Sequence, residues 1–436
     1  MYLTIEQVIE MAPDAAVAAA GKKLAPAKNW PELGQSSTAI WGKCQGSSVY
    51  QVKIDIANLG YNCSCPSRKF PCKHVLGLLM LAVQSPDAVA QSDAPAWVNE
   101  WLEKRRARDE KQAVQPAEPA PGPADDKARQ RRTEQRGKLV NDGLERLDLW
   151  MKDLVRAGLA EVIAKPGSMW DEQAKRLVDA QAPGLAGRIA RLAALPRASS
   201  DWTTRLLDEL GRIKLLLHAY DRLDELDPAL ASEIRQLIGW NISQDELEQT
   251  GQRIDDTWVV AGQWVDFQDR LSAQRSWVVG RQSGRVGLIL QFSAAGQPFA
   301  DVIVAGTEQR GTLVFYPGVS GQRAKFLTRQ GPPSTLLVRP PGRETIDEFL
   351  GAVAQSLARQ PWLNAFGGVL RDVTIVRARD SWFVRDQRSD SLPLIGQNHW
   401  KAMAVTGGHP CDLTGEWDGY GLRGLGVFVD GQYWSL

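Results

Sequence analysis

The sequence predicts a multidomain α+β protein with three structured regions in a chain of 436 residues. Three observations predict this: a dense group of cysteine and histidine near the start, apolar residues at three- and four-residue spacing in the middle, and short β-type runs between glycine, proline and serine turns towards the end. We therefore expect a small N-terminal domain stapled at the cysteine and histidine group, a helical middle, and a strand-rich, mixed α/β C-terminal domain.

The N-terminal domain, residues 1–110, is predicted to combine short helices with a β-hairpin. Thr4 and Gln7 have the spacing of a capping box at a helix start. Residues 41–44 and 49–56 form the hairpin, with residues 46–48 as its turn. A further helix starts at Pro95 and ends in the basic run 104–108. We interpret that run as a solvated helix face.

Four potential metal ligands fall within twelve positions: Cys63, Cys65, Cys72 and His74. Alternate residues of an extended segment point to the same side, so Cys63 and Cys65 can share one ion. Three thiolates and one imidazole make the closed, four-ligand set of structural zinc. The sequence therefore predicts one structural Zn²⁺. The alternative is a redox cysteine pair with further cysteines nearby by chance.

The surroundings of these ligands are apolar on one side and basic on the other. Residues 75–83 form an apolar run that predicts a buried helix, whose N-terminal N–H groups and dipole favour thiolate at Cys72. Arg68, Lys69 and Lys73 lie among the ligands, and no Asp or Glu occurs from residue 56 to residue 86. This local positive charge offsets the site's charge of −1 and also suits phosphate. We predict these three residues to bind a protein partner or nucleic acid.

The run CSCPSRKFPCKH, with its C-x-C-x6-C-x-H spacing, resembles the SWIM zinc finger. The resemblance continues through residues 41–47 and 50–52 and the leucine-rich helix after His74, and is greatest to bacterial SWIM-finger proteins. It implies a nucleic-acid- or protein-binding module. Bacterial relatives are typically encoded beside MoxR-type AAA ATPases and von Willebrand factor A domain proteins, which implies a role in a multi-protein assembly.

The rest of the chain is predicted to hold a linker and two further domains. Residues 111–138 are a Pro/Ala-rich and then basic linker, whose basic part is equally interpretable as the first turns of the next helix. Residues 139–255 form a helical domain; Ser168 is predicted to cap one helix, and Asp201 to cap a long one that ends near Leu226. Residues 256–436 form a strand-rich α+β domain, with strands that include 301–304 and 336–339.

Composition and motifs exclude several classes of function. The net charge of +1 gives no global signature of nucleic-acid binding. No P-loop, H-E-x-x-H or G-x-S-x-G motif occurs, and His409 with Cys411 is only a weak candidate for a second metal or Cys–His site. We therefore expect neither an enzyme nor a small-molecule substrate. No apolar run of 18 residues or basic leader occurs, which argues against a membrane span and a signal peptide.

Two functional hypotheses follow. The first is a non-catalytic, zinc-binding adaptor in a cytoplasmic assembly with an AAA ATPase and von Willebrand factor A domain proteins; the two cysteines left over, Cys44 and Cys411, favour a reducing cytoplasm. The second is DNA or RNA binding through the basic finger loop and linker. The sequence does not determine the partner, the kind of target, the role of the C-terminal domain or the oligomeric state.

Overall fold

The computed structural model of the chain has the predicted mixed α+β organisation, with a metal-ligand cluster in the N-terminal region, a helical middle and a strand-rich C-terminal region. Within its described part, no helix is long and apolar enough to span a bilayer. The structure describes residues 3–46, 48–113, 123–163, 167–197, 201–268, 271–294, 297–319 and 321–436.

The N-terminal domain packs helix α3 on a four-stranded antiparallel sheet with the order β1-β2-β3-β4. The predicted capping box at Thr4 and the predicted hairpin, β2 with β3, are both confirmed. Nine consecutive residues of α3, from His74 to Ala82, are buried, which makes α3 the centre of this core. The elements are α1 (Ile5–Glu10), α2 (Ala15–Leu24), β1 (Glu32–Gln35), β2 (Ala39–Gln45), β3 (Val49–Asp55), β4 (Tyr61–Cys63), α3 (Lys73–Gln84) and α4 (Ala96–Ala113).

Arg105, in the predicted basic run of α4, holds this helix against the loop between β3 and β4. Its Nη2 donates to Asn58 Oδ1 at 3.0 Å, its Nε lies 3.5 Å from Asp55 Oδ2, and its guanidinium lies over the Trp101 ring. Arg105 is therefore a packing residue, and the interpretation of the run as a solvated face is wrong for it. The side chains of Arg106 and Arg108 lie outside the described residues.

In the part that the structure describes, the helical middle contains six α-helices, and three sequence-based boundaries need correction. Helix α5 begins at Pro123, so residues 127–138 are helical, while the Pro/Ala run 114–122 lies outside the described residues. Ser168 is the first residue of α6 and not its cap, because Gly167 takes the cap position. Helix α8 ends at Tyr220 and not near Leu226, because a separate 3₁₀ turn follows. The helices are α5 (Pro123–Ala157), α6 (Ser168–Asp179), α7 (Pro183–Leu192), α8 (Trp202–Tyr220), α9 (Pro228–Ile238) and α10 (Gln244–Thr250).

The core of the helical domain contains one large side chain from outside it. Leu147, Ile189 and Ile213 are buried between the helices, and Trp362 from the C-terminal region is buried with them at 4% exposure. Arg188 Nη2 donates to the Trp362 backbone oxygen at 3.1 Å. The indole therefore fastens the helical domain to the C-terminal region.

In its described residues, the C-terminal region consists of two β-structures and two α-helices. Residues 301–304 and 336–339 are not strands, so these two strand predictions are wrong. The elements are β5 (Gln252–Gln268), β6 (Leu271–Gly280), β7 (Val286–Ala294), β8 (Thr307–Phe315), β9 (Arg323–Arg329), β10 (Ser334–Thr335), α11 (Ile346–Arg359), β11 (Phe366–Ala378), β12 (Ser381–Arg385), β13 (Ser391–Ile395), α12 (His399–Thr406), β14 (Cys411–Trp417), β15 (Leu422–Val429) and β16 (Gln432–Ser435).

Both β-structures are closed five-stranded barrels with the same connectivity. In the first, β8-β5-β6-β7-β9 pair in that order, β9 pairs back with β8, and only β7 with β9 is parallel. In the second, β14-β11-β12-β13-β15 repeat every one of these pairings, with β13 and β15 parallel. Each first strand carries a bulge. This is the connectivity of an OB-type Greek-key barrel.

Glu416, on β14 of the second barrel, joins the two barrels. Its Oε2 accepts hydrogen bonds from three side chains of the first barrel: Trp277 Nε1 at 2.6 Å, Arg275 Nε at 2.9 Å and Trp264 Nε1 at 3.2 Å. Trp277 also lies so close to Gly367 that a Cβ there would come within 2.2 Å of the ring. The outer face of β6 is therefore covered by the second barrel.

The N-terminal domain is docked on the first barrel through α1. Gln7 Nε2 donates to the Gly306 backbone oxygen at 2.7 Å, and Gln7 Oε1 accepts from Thr335 Oγ1 at 3.2 Å. Val304, in the connection between β7 and β8, belongs to the core of the N-terminal domain. In the second barrel the equivalent connection carries α12. The N-terminal domain thus packs on the connection whose counterpart in the second barrel carries a helix.

We predict that Trp362→Ala lowers the free energy of unfolding of the helical domain by about 3–5 kcal/mol, because it leaves a cavity in that core. Trp400→Ala is the matched control. Trp400 is 64% exposed and contacts Trp382 and Arg377, so its loss should cost less than about 1.5 kcal/mol. Urea denaturation of both variants measures the difference; equal costs would show that Trp362 does not fasten the two regions.

Candidate metal centre

The four predicted ligands are positioned by the end of a strand and the start of a helix. Cys63 is the last residue of β4, where its partner on β3 is Val52, and Cys65 follows two residues later. Cys72 is the N-cap of α3 with extended backbone angles, and His74 is the second residue of the helix. The strand end and the helix start therefore meet, with residues 64–71, here called the zinc loop, between them.

The ligand atoms of these four side chains all lie within 4.8 Å of one another. His74 Nδ1 is 3.8 Å from Cys63 Sγ and 4.0 Å from Cys72 Sγ. A tetrahedral zinc site with Zn–S of about 2.3 Å has S···S edges of about 3.8 Å, so one ion fits among the four atoms. Cys72 and His74 are buried, at 1% and 4% exposure. Soft sulfur and imidazole donors suit zinc rather than magnesium or calcium. The cluster can bind one zinc ion.

The environment of Cys72 favours its thiolate. A hydrogen bond from Cys63 lowers the pKa of Cys72, and hydrogen bonds from His74 and the Val75 backbone act in the same direction against burial. The hydrogen bond to Cys72, followed by burial, raises the pKa of Cys63, and burial raises that of Cys65. Cys72, at the helix N-terminus, is thus the ligand best prepared to be a thiolate.

The other cysteines take no part in this cluster. Cys44 is fully buried in the N-terminal core, and burial raises its pKa. Cys411 lies in β14, where its Sγ donates to the Val373 backbone oxygen at 3.5 Å, and burial raises its pKa as well. Among the residues that the structure describes, the four predicted ligands form the one group suited to a metal, and His409 with Cys411 does not belong to a second.

Of the three basic residues predicted to bind a partner, two line one cleft and the third does not. Arg68 and Lys69 lie in the zinc loop and are exposed. Lys69 Nζ forms an ion pair with Asp14 Oδ2 at 2.6 Å, and this hydrogen bond lowers the pKa of Asp14. Lys73 is exposed on α3 and lies outside the cleft that the other two line. The binding role of all three residues stays a prediction.

The zinc loop forms one wall of a cleft of about 450 Å³, here called the finger cleft. The opposite wall comes from the first barrel and from the connection between β7 and β8. Sequence reasoning missed the finger cleft because its walls are about 200 residues apart in the chain, and no local pattern marks their meeting. The lining residues used below are Met11, Arg68, Lys69, Phe70, Trp264 and Phe299.

Two family models match this chain. The SWIM zinc finger matches residues 50–82, and the SWIM-associated four-helix bundle domain matches residues 135–238. The chain therefore carries a SWIM zinc finger, whose Cys63, Cys65, Cys72 and His74 fit the C-x-C-x6-C-x-H pattern, and a SWIM-associated bundle in its helical middle. The first match confirms the resemblance, and the second identifies a region that the sequence predicted only as helical. No curated protein and no solved structure matches the chain.

We predict one zinc ion per chain, and its loss in Cys72→Ser. The variant should leave the bundle and barrels folded, because they have separate cores, while the N-terminal domain becomes sensitive to protease at the zinc loop. Cys44→Ala is the control: it removes a buried thiol of the same domain and should keep one zinc ion. Elemental analysis and limited proteolysis measure both effects. Full zinc content in Cys72→Ser, or zinc loss in Cys44→Ala, would contradict the ligand set.

Proposed function

We propose that this zinc-binding protein is a non-catalytic adaptor whose finger cleft binds an extended segment of a partner protein. The observation that carries the proposal is the neutral, partly apolar lining of the cleft. Both walls belong to folded domains held together by Gln7 and Val304, so the cleft is formed before a partner arrives. Such preorganisation reduces the entropic cost of binding.

The charged groups of the finger cleft are largely paired within the protein. Lys69 pairs with Asp14, Glu10 Oε1 lies 3.6 Å from Lys401 Nζ, and Asp301 Oδ2 lies 3.7 Å from Arg329 Nη2. Burial raises the pKa of Glu10 against the opposing effect of Lys401. Of the charged residues described in this lining, Arg68 is the one that forms no ion pair within 4 Å. A strongly anionic ligand would therefore find little free positive charge in the cleft.

The apolar part of the lining suits side chains of a polypeptide. Phe70 is 37% exposed at the zinc loop, and Met11, Trp264 and Phe299 line the same space. A volume of about 450 Å³ is within the usual range of ligand sites, so it can take two or three side chains of an extended segment. Arg68 then supplies one contact to an acidic or carbonyl group of that segment.

The first partners to test are the AAA ATPase and von Willebrand factor A domain proteins that the SWIM resemblance implies. The proposal places the adaptor in the cytoplasm. The five cysteines agree with this, because none of them forms a disulfide bond within the described residues. It is non-catalytic, in agreement with the two matched domains, which typically carry no catalytic site.

Nucleic-acid binding is the second candidate. The two barrels favour it, because OB-type barrels commonly bind oligonucleotides, although this is an argument by fold alone. The pairing of Lys69 and Arg105 and the covered face of β6 oppose it. A salt titration separates the candidates: phosphate contacts make log K fall with log[salt] by about 0.9 for each contact to duplex DNA, and the adaptor shows no such binding.

We predict that the double variant Arg68→Glu, Phe70→Ala weakens capture of the partner at least about tenfold, because it changes the free charge and the exposed ring of the finger cleft. Lys73→Ala is the control. It removes an exposed cation of the same finger outside the cleft and should leave capture unchanged. Zinc content should stay at one per chain in both.

Binding assays with purified candidate partners measure this difference. Equal weakening by Lys73→Ala would favour a broad basic surface over the cleft. Undiminished capture by the double variant, with zinc retained, would exclude the finger cleft as the binding site.

A further inference from the structure

A second cavity lies between the bundle and the second barrel, with a volume of about 170 Å³. Arg188 and Arg191 of α7 and Arg205 of α8 line it from the bundle, and we call it the arginine pocket. Asn364 and the loop between β14 and β15, which contains Asp418 and Tyr420, line it from the other side. The pocket is therefore assembled from two domains.

Arg188 is a buried cation whose donors are not all used. Its side chain is 6% exposed, and burial lowers its pKa. Nη2 donates to the Trp362 backbone oxygen at 3.1 Å and lies 3.6 Å from Glu209 Oε2, but Nε is buried with no hydrogen-bond partner. An unpaired donor on a buried charge is costly, and an anion in the pocket that Arg188 lines stabilises this charge even though Nε itself is out of contact with solvent.

The other two arginines line the pocket from α7 and α8. Arg205 Nε contacts both Asp201 oxygens at 3.0 and 3.1 Å, and its guanidinium lies 4.3 Å from the centre of the Tyr420 ring. This arrangement fixes the plane of the guanidinium at the wall of the pocket. Arg191 is exposed, and the carboxylates of Asp266 and Glu209 are close enough to attract its charge.

The carboxylates of the pocket are already engaged by other donors. Glu209 is shared between Arg188 and Arg212, whose Nη1 lies 3.4 Å from Glu209 Oε1. Asp418 Oδ1 accepts the backbone N–H groups of Tyr420 and Gly421, each at 2.8 Å. The lining therefore holds three arginines against two carboxylates that already accept from other donors.

We propose that the arginine pocket binds a phosphate group, either as free phosphate or as the phosphate of a small phosphorylated molecule. A guanidinium presents planar, paired donors that match the oxygens of phosphate, and the Asn364 amide can add one donor. A water molecule occupies about 30 Å³ of liquid, so the cavity has room for roughly five or six waters, enough for one such group. Because the ligand contacts α7, α8 and the second barrel together, it stabilises the junction between these domains.

The test uses the full chain with inorganic phosphate and adenosine monophosphate as probes, and with chloride at matched ionic strength as the baseline. We expect phosphate-bearing probes to raise the unfolding temperature and to bind in calorimetry. Arg191→Ala should weaken binding at least about tenfold, the usual effect of losing one hydrogen bond to a charged group. Arg188→Lys keeps the charge but removes the planar guanidinium and should weaken binding similarly.

Arg156→Ala is the matched control. Arg156 is a 73% exposed arginine of α5, paired only with Asp153 at 3.6 Å, and its loss should not change binding. Tighter binding of inorganic phosphate identifies the free ion as the ligand, and tighter binding of the nucleotide identifies a phosphorylated molecule. No binding by the wild type at millimolar probe would overturn the proposal, as would equal weakening by Arg156→Ala. If Arg188→Lys does not fold, Arg191→Ala decides the question.

Discussion

The constraint on which the N-terminal domain and the finger cleft depend is the meeting of four donor side chains within 4.8 Å. It connects the end of β4 to the first turn of α3, the helix on which the N-terminal core is built. The zinc loop between them is mostly exposed and buries too little apolar surface to define its own shape. The metal therefore determines where Arg68 and Phe70 stand relative to the first barrel. A structural ion in this position controls the shape of one wall of the finger cleft.

The first barrel has an OB-type fold, but the face that such barrels commonly use for binding packs against the second barrel. Glu416 accepts three hydrogen bonds across the barrel interface, which satisfies its buried charge, and Gly367 allows Trp277 to approach the backbone. The outer face of β6 is consequently part of a core. The two barrels form a single support, on which the finger domain and the bundle are held by Gln7 and Trp362. This accounts for several of the tryptophans, which lie at domain contacts rather than on one exposed platform.

Local features of the sequence predicted local structure well. The ligand spacing predicted the metal cluster, and the Thr4 capping box and the β2–β3 hairpin were found as expected. Features that depend on distant residues were not predictable. Arg105 belongs to a run of charged residues that predicts an exposed helix face. In the fold it instead packs against Asn58 and Asp55, which lie far from it in the sequence. The barrels were missed because their closure depends on parallel pairings such as Leu288 with Arg323, which no short pattern encodes. The finger cleft and the arginine pocket are each built from two domains. They could not be predicted either, because no short sequence pattern encodes contacts between distant segments.

The hydrogen bond from Gln7 to Gly306 joins two parts of the chain that the ribosome synthesises at different times. The zinc ligands emerge within twelve positions of one another, but the acceptor of Gln7 follows it by 299 residues. At about 5–20 residues per second, a ribosome needs about 15–60 seconds to produce that interval. The nascent finger can thus capture its metal long before the first barrel exists. Throughout this time the apolar surface that Val302 and Val304 later cover is open to water or to a chaperone.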